Sequence, residues 1–518
     1  MTNRLATSPP PWTVSAVLGA RAITTPDHIA FIEGATGTVL TWADLAAETR
    51  SWSRLAEHVD GGRMGLLISN PLTMIASYLA ALATGVPIAP LNPDITPREL
   101  ADQDRMLGLA GVITDGDPQA TRAVLPATTV WATGLGGPQL GVPDAPAKRR
   151  GHRFTPLAEG AALVLASSGT TGTPKIIPLS EANLLHTASA LVANHGLETS
   201  DRGYCPLPLF HINALVVGAL STVVCGSSLV VDRKFSARGF WPRVESFGVT
   251  WLNLVPAIIT VLSERPGPAH HVAERVTFAR SASAPLPQAT RERFEARCGV
   301  GVIETYGMTE AASQIAANPQ DPEHRKPGTV GRPVGLDLRV VDRDRRPVAR
   351  DTVGQVEIRG QNVLRCYWEP AGASPPSRPA VDADGWLPTG DLGKLDADGY
   401  LSLVGRSDDV INRGGEKLYP REIEEVLLGD PAVSAAAVVG RPHPTVGEEP
   451  VAFVIAAPDC GSDDVTLAAS LAERCRRNLS HFKRPASITV AEQLPAGPTG
   501  KIRHSELRRV VVAATAMA

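Results

Sequence analysis

Apolar runs alternate with helix-period patterns over most of the first four hundred residues. Met64 to Ser69 precedes a helical pattern near Met74 to Ala83, and Thr250 to Val255 precedes one that opens at Pro256. Continuous apolar runs of strand length, each followed by a helix, predict parallel sheets buried on both faces. From Gly328 the pattern changes to short strands separated by turns, as in LDLRVVDRDRRPV and GQVEIRG, which predicts a small β-rich subdomain. The stretch Pro370 to Ala380 reads by composition as a surface loop inside it. Beyond Arg406 a compact α/β unit is expected. Its helix opens at Pro420, lines up Ile423, Val426 and Leu427 on one face and stops at Gly429, ahead of strands Ser434 to Val439 and Val451 to Ile455. The expected fold is therefore α/β. A large N-terminal domain of helix-covered sheets with a β-rich subdomain spans residues 1–405, and a small mobile α/β C-terminal domain spans 406–518.

Length agrees with this division, because 518 residues exceed what one core supports. A formal net charge of −3 argues against bulk electrostatic binding of nucleic acid. Met1 to Thr13 is polar and proline-rich and does not read as a secretory signal. The six cysteines form no CxxC pair, which fits a reducing cytosol. Ile212 to Val231 carries no charge, yet its Asn, Gly, Ser and Thr residues divide it into a buried helix, a turn and a strand. A soluble, cytoplasmic enzyme with neither nucleic-acid nor membrane partners is expected.

The chemistry concentrates first in SSGTTGTPKIIPLS, Ser167 to Ser180. Ala162 to Leu165 and Ile176 to Leu179 read as short buried strands that clamp a loop between them. A flexible Gly/Ser/Thr linker has similar composition, but linkers seldom join two strands. Glycines Gly169 and Gly172 let backbone N–H groups turn toward one point, and such a nest attracts an anion. Ser168, Thr170, Thr171 and Thr173 add hydroxyls, and Lys175 adds a cation. The loop reads as a polyphosphate cradle. It is not a Walker loop, because the Gly-x4-Gly-Lys-Ser/Thr order is absent and a strand follows.

Four other clusters are unusually polar for their surroundings: ETYGMTE from Glu304, GWLPTGDLG from Gly385, GRSDDVINRGGEK from Gly405, and LPAGPTGKIR from Leu494. Singly, Tyr306 reads as a core aromatic, Asp391 as a turn residue, Arg406 as a surface charge and Lys501 as a loop lysine. Their order and spacing resemble the ANL superfamily of adenylate-forming enzymes, from about Thr41 to Arg503. ARSASAPLP, NPQDPEHRKPGTVGRPVG and INRGGEKLYPREIEEVLL are most similar to its acyl-CoA synthetase branch, particularly oxalate-CoA-ligase-like members.

The resemblance implies two reactions: a carboxylate attacks the α-phosphate of ATP, and the thiol of coenzyme A then displaces AMP. It implies that Ser168 to Lys175 hold the β- and γ-phosphates. Thr309 and Glu310 would serve the α-phosphate region and Mg2+, Tyr306 would stack on adenine, and Asp391 with Arg406 would take the ribose hydroxyls. Lys501 would bridge the acid's carboxylate and the α-phosphate. The acid would lie near His211 and Asn213 and beside Ser281, Ala282, Ser283 and Ala284, with His211 a gate rather than a base. Small side chains there, with Ala214 and Gly218, predict room for a bulky acyl group. Asp408 is the hinge candidate, and Gly414 and Gly415 would leave a channel for the pantetheine arm. Three features depart from the common pattern: Ile176 after Lys175, Ala496-Gly497-Pro498 before Lys501, and Ala282-Ser283 in place of a Gly pair. They leave three alternatives open: an enzyme working mainly on an adenylate supplied by a partner, one loading a separate carrier protein, or a nucleotide-binding regulatory protein.

Overall fold

The computed structural model describes residues 13–59, 62–126, 128–138, 160–167, 175–370, 373, 377–458, 460–496 and 502–517. Among them, the N-terminal part builds three sheets, of nine, eight and four strands. In the nine-stranded sheet, Ile29–Glu33, Ser228–Val231, Arg202–Cys205, Trp251–Leu254, Phe278–Ser281 and Val302–Tyr306 run side by side in parallel. In the eight-stranded sheet, Met64–Leu67, Ile88–Pro90, Gly111–Thr114 and Thr129–Ala132 are parallel. The parallel strands are mostly buried and rich in apolar residues, as burial on both faces demands, with Asn253, Arg280 and Glu304 among the polar exceptions.

One helix shows why these residues fold as they do. Asn70 caps Pro71–Thr84 by accepting from the Thr73 N–H at 2.9 Å, Pro71 occupies the first turn, and Gly85 closes the helix in the left-handed region at φ 71°. Every residue from Pro71 to Leu82 is buried. A helix apolar on all sides belongs in the interior, and this one packs against Trp42–Val59 and Val14–Thr24.

Ala161–Ser167 and Lys175–Ser180 pair antiparallel, so the cradle loop joins two adjacent strands as the apolar runs predict. The loop itself, 168–174, lies outside the described residues, as does the side chain of Ser167. The uncharged segment resolves into the π-helix Asn213–Leu220, the short helix Ser221–Cys225 and the strand Ser228–Val231. Among the described residues no helix is long and apolar enough to cross a membrane.

The β-rich part is the antiparallel sheet Asp337–Val341, Gly354–Arg359, Leu387–Leu395 and Leu401–Arg406. The described end of Pro370 to Ala380 does not belong to it. The segment's end forms the strand Ser377–Pro379, which pairs with Cys366–Trp368 at the edge of the eight-stranded sheet, next to Lys175–Ser180. Nonlocal pairing overrides the local loop composition here.

The small C-terminal domain has its own sheet, built mainly by the long hairpin Val433–His443 and Gly447–Ala456 with Ser487–Val490 alongside. Its core joins Ile411, Ile423, Leu427, Val454 and Leu471, separately from the N-terminal core that ends at Leu401. Pro420–Leu428 is helical with Ile423 and Leu427 buried and Gly429 following, as its apolar face predicts.

Candidate active site

Six parallel strands drawn from the two large sheets point their carboxyl ends at one cavity of about 400 Å³. Chain segments just beyond those ends line it: Ile68 and Ser69, Leu91 to Asp94, Pro206 to His211, Asp232 to Phe235, Val255, and Ser283. Clefts outside the carboxyl ends of parallel strands are the usual ligand sites of α/β folds. Val302–Tyr306 lies next to Phe278–Ser281, and the Thr305 hydroxyl donates to the Ser281 carbonyl at 2.9 Å, so the ETYGMTE segment opens beside this cavity.

Of the expected acyl-site residues, His211, Asn213 and Ser283 line the cavity. Ala282 and Ala284 do not, and a side chain added at Gly218 would meet Leu229 and Cys205 rather than open space. Ala214 is fully buried in the core. Burial pushes the His211 imidazole down to about 4, so it is neutral at pH 7, and its Nε2 has no hydrogen-bond partner. Ser281 is buried with its Oγ unpartnered. Ser283 sits at φ 74°, a left-handed conformation that glycine adopts freely and serine does not.

The residues expected to hold the nucleotide form two groups. In the first, the Tyr306 hydroxyl donates to Asp391 Oδ2 while Arg406 Nη1 donates to Asp391 Oδ1 at 3.1 Å. Asp391 and Arg406 face each other across Leu387–Leu395 and Leu401–Arg406. Arg406 also reaches the Thr389 carbonyl at 3.4 Å. Burial and the adjacent Asp391 carboxylate hold the Tyr306 phenol well above its ordinary range, so it remains a donor.

The second group centres on Glu310, in the single turn Thr309–Ala311 that packs against Lys175–Ser180. Glu310 is buried, and its Oε1 accepts from the Tyr367 hydroxyl at 3.1 Å. Lys175 Nζ lies 5.1 Å from the centroid of the same Tyr367 ring. Tyr367 thus ties the expected carboxylate to the expected cation, and sequence reasoning missed it. The pairing of Trp368 with Ile176, which brings Tyr367 beside Lys175, has no local sequence signal.

Among the described residues no three His, Cys, Asp or Glu side chains converge. A protein-built metal cage is therefore absent there, whereas one buried carboxylate beside the strand that follows the expected polyphosphate cradle suits Mg2+, which takes one or two carboxylates and keeps phosphate and water oxygens.

In the C-terminal part, Gly414 and Gly415 form the turn between Ile411–Arg413 and Glu416–Leu418 at φ 61° and 93°, with open space where a Cβ would stand. Asp408 is exposed in the single turn Ser407–Asp409, between the last N-terminal strand and the first C-terminal one, and its carbonyl accepts from Arg508 at 2.8 Å. Lys501 lies outside the described residues, between Ala496 and Ile502, which pair in an isolated bridge.

Comparison with known proteins agrees with this geometry. The family model of AMP-binding enzymes matches residues 18–368, and that of the AMP-binding enzyme C-terminal domain matches residues 422–501. A sulfoacetate–CoA ligase of Cupriavidus necator is 38% identical over 96% of the chain and 97% of its own length. An oxalate–CoA ligase of Arabidopsis thaliana is 34% identical over 87% of the chain and 88% of its own length. The ATP-bound MatB of Rhodopseudomonas palustris superposes with a TM-score of 0.83 at 27% identity, covering 96% of this chain and 99% of that one. The chain belongs to the AMP-binding enzymes, the ANL superfamily of adenylate-forming proteins, in its acyl-CoA ligase branch.

Proposed function

We propose that the protein is an ATP-dependent acyl-CoA ligase that runs both half-reactions on one chain. The observation that carries this reading is the convergence on Tyr367 of Glu310 and Lys175, which brings a carboxylate and a cation together beside the cradle hairpin. Adenylation brings the acid's carboxylate against a polyphosphate, so it needs donors, cations and positioning more than a base.

In this reading a carboxylate oxygen of the acid bonds to the α-phosphorus and pyrophosphate leaves. Lys175 and the cradle loop, Ser168 to Thr173, neutralise the β- and γ-phosphates. Tyr306 flanks the adenine, and Asp391, oriented by Arg406, accepts from the ribose hydroxyls. Glu310, with Thr309 beside it, would hold Mg2+, which when bound would supply neutralisation of phosphate charge. Lys501 adds a cation between the two reacting anions. The acid occupies the cavity beside His211 and Ser283. Being neutral, His211 walls the pocket and is not required as a base, because the attacking carboxylate is already ionised. In the second reaction the coenzyme A thiol bonds to the acyl carbon and AMP leaves, with Gly414 and Gly415 leaving the pantetheine arm its path. The division of the chain falls at residues 405 and 406, with Asp408 as the hinge.

Incubation with ATP, Mg2+, coenzyme A and a panel of carboxylic acids, read by mass for acyl-AMP and acyl-CoA, tests the proposal. Both products from one acid are expected. Acyl-AMP without acyl-CoA would redirect the acceptor to a carrier protein, and acyl-CoA only from supplied acyl-AMP would make the enzyme dependent on a partner.

A further inference from the structure

A buried polar network stands against the acyl cavity, and nothing in adenylation as described uses it. Asn213 is buried and lines the cavity. Its Oδ1 accepts from Asn253 Nδ2 at 3.1 Å and from Arg280 Nη1 at 3.3 Å, which fixes the amide's orientation. Its Nδ2 is consequently a donor with no partner, as is His211 Nε2 in the tautomer that protonates it. Arg280 is fully buried, bonds to the neutral amides of Asn213, Asn253 and Gln314, and leaves its Nε unpartnered.

An enclosed guanidinium normally has a carboxylate beside it, because desolvating an unpaired charge is costly. Among the described residues none pairs with Arg280; the nearby Cys205 has a thiol that burial pushes up to about 11 and so keeps neutral. Burial draws the guanidinium down to about 9, which leaves it protonated at pH 7. The carboxylates that line the cavity are each compensated. Asp94 is held by Arg233 at 2.9 Å and Lys234 at 3.0 Å, and Asp232 by the Tyr204 hydroxyl at 2.5 Å and Arg243 at 3.3 Å. The uncompensated charge behind the cavity wall is therefore positive, and Asn213, the residue of this network that lines the cavity, keeps an unpartnered donor.

We propose that Asn213, backed by Arg280, receives a second anionic group of the substrate acid, distinct from the carboxylate that is adenylated. The substrates are then carboxylic acids that carry a further carboxylate or sulfonate. Asn213 is the contact residue. Arg280 acts through it as a positioning residue, orienting the amide and supplying field. This inference rests on the ligase reading and deepens it.

The test compares acids in matched pairs: malonate with propionate, succinate with butyrate, and sulfoacetate with 3,3-dimethylbutyrate, each read by ATP-dependent pyrophosphate release. The native enzyme should favour the anionic member of a pair by about tenfold to a hundredfold in kcat/KM, the range for a hydrogen bond to a charged group. Asn213→Asp keeps the shape and pairs with Arg280, so the core stays satisfied, but it removes the donor and cancels the charge. It should abolish that preference, chiefly by raising KM for the anionic acids. Arg280→Met should lower the same ratio without touching substrate, and Arg280→Lys should restore part of it. Preference for the apolar member throughout, or an equal loss for both members in Asn213→Asp, would overturn the proposal and leave the ligase reading intact. No pyrophosphate release with any acid would overturn both.

Discussion

The Tyr367 hydroxyl donates to Glu310 Oε1 at 3.1 Å, while the same ring lies under Lys175. One carboxylate oxygen is thereby held and the other is left for a ligand. Glu310→Ala should remove Mg2+-dependent pyrophosphate release while circular dichroism stays native. Tyr367→Phe, which only frees the carboxylate to turn, should raise the Mg2+ concentration needed for half-maximal rate by about tenfold, the order of effect when a residue orienting a metal ligand is lost. Undiminished pyrophosphate release from Glu310→Ala would remove the residue from the site.

How much of this was legible in the sequence depends on the range of each interaction. The hairpin around the cradle, the helix expected near Met74 to Ala83 and the helix at Pro420 follow from local patterns, and the structure has them, the first helix running from Pro71 to Thr84. Asp391 and Arg406 were readable through their motifs, and the sheet register places them opposite each other. Tyr367 was not readable, because a chain return carries it to Lys175 from far along the sequence. The Asn213, Asn253, Arg280 and Gln314 network was hidden for a related reason: each member sits in an apolar run and reads alone as an ordinary core position. Asn213 was read as a small side chain leaving room, whereas its hydrogen bonds fix its amide and leave Nδ2 an unpartnered donor.

Ser283 occupies φ 74°, where a Cβ is strained and glycine is not. Ser283→Gly relieves the strain and gives back part of the gain as extra chain entropy in the unfolded state. A net stabilisation of about 0.5–1 kcal/mol is expected by urea denaturation. An unchanged or lower midpoint would show that the loop accommodates serine at no cost.

The passage from Arg406 to Ile411 is the covalent link between the two cores, and Asp408 at its middle is exposed. A rotation there needs a change in φ or ψ at few residues. Asp408→Pro fixes φ near −65°. It should slow conversion of acyl-AMP to acyl-CoA far more than pyrophosphate release. Equal loss in both half-reactions would place the hinge elsewhere.

Lys501 directly precedes Ile502, which pairs with Ala496 in an isolated bridge. If its cation serves only the attack of one anion on another, Lys501→Ala should abolish acyl-AMP formation yet still turn supplied acyl-AMP into acyl-CoA. Loss of both activities would mean that the lysine serves the thioester step as well.

Glu304 provides a pH-dependent test of how the two domains meet. Burial pushes its carboxyl from 4.5 up to about 7, against the opposing pull of Arg291, Arg421 and the Gly328 N–H, while Glu425 adds to the rise. Arg291 Nε stands 3.9 Å from Glu304 Oε1 on the N-terminal side. Arg421 and Glu425 come from the C-terminal helix Pro420–Leu428, whose Arg421 also donates to the Leu403 carbonyl at 3.0 Å. Between pH 4.5 and 7 the unfolded chain has lost this proton and the folded protein retains it, so the group's contribution to stability falls as pH rises through that window and levels off above it. Glu304→Gln stays neutral throughout. Its stability relative to the native protein should therefore climb with pH across the window, by at most about 3 kcal/mol, and by less once the lost attraction to Arg291 and Arg421 is counted. Glu48, which burial also raises to about 7, titrates in both proteins and cancels in the difference. Thermal unfolding of the pair at pH 5 and pH 8 measures the change, and a difference independent of pH would show that Glu304 is already ionised where the domains meet.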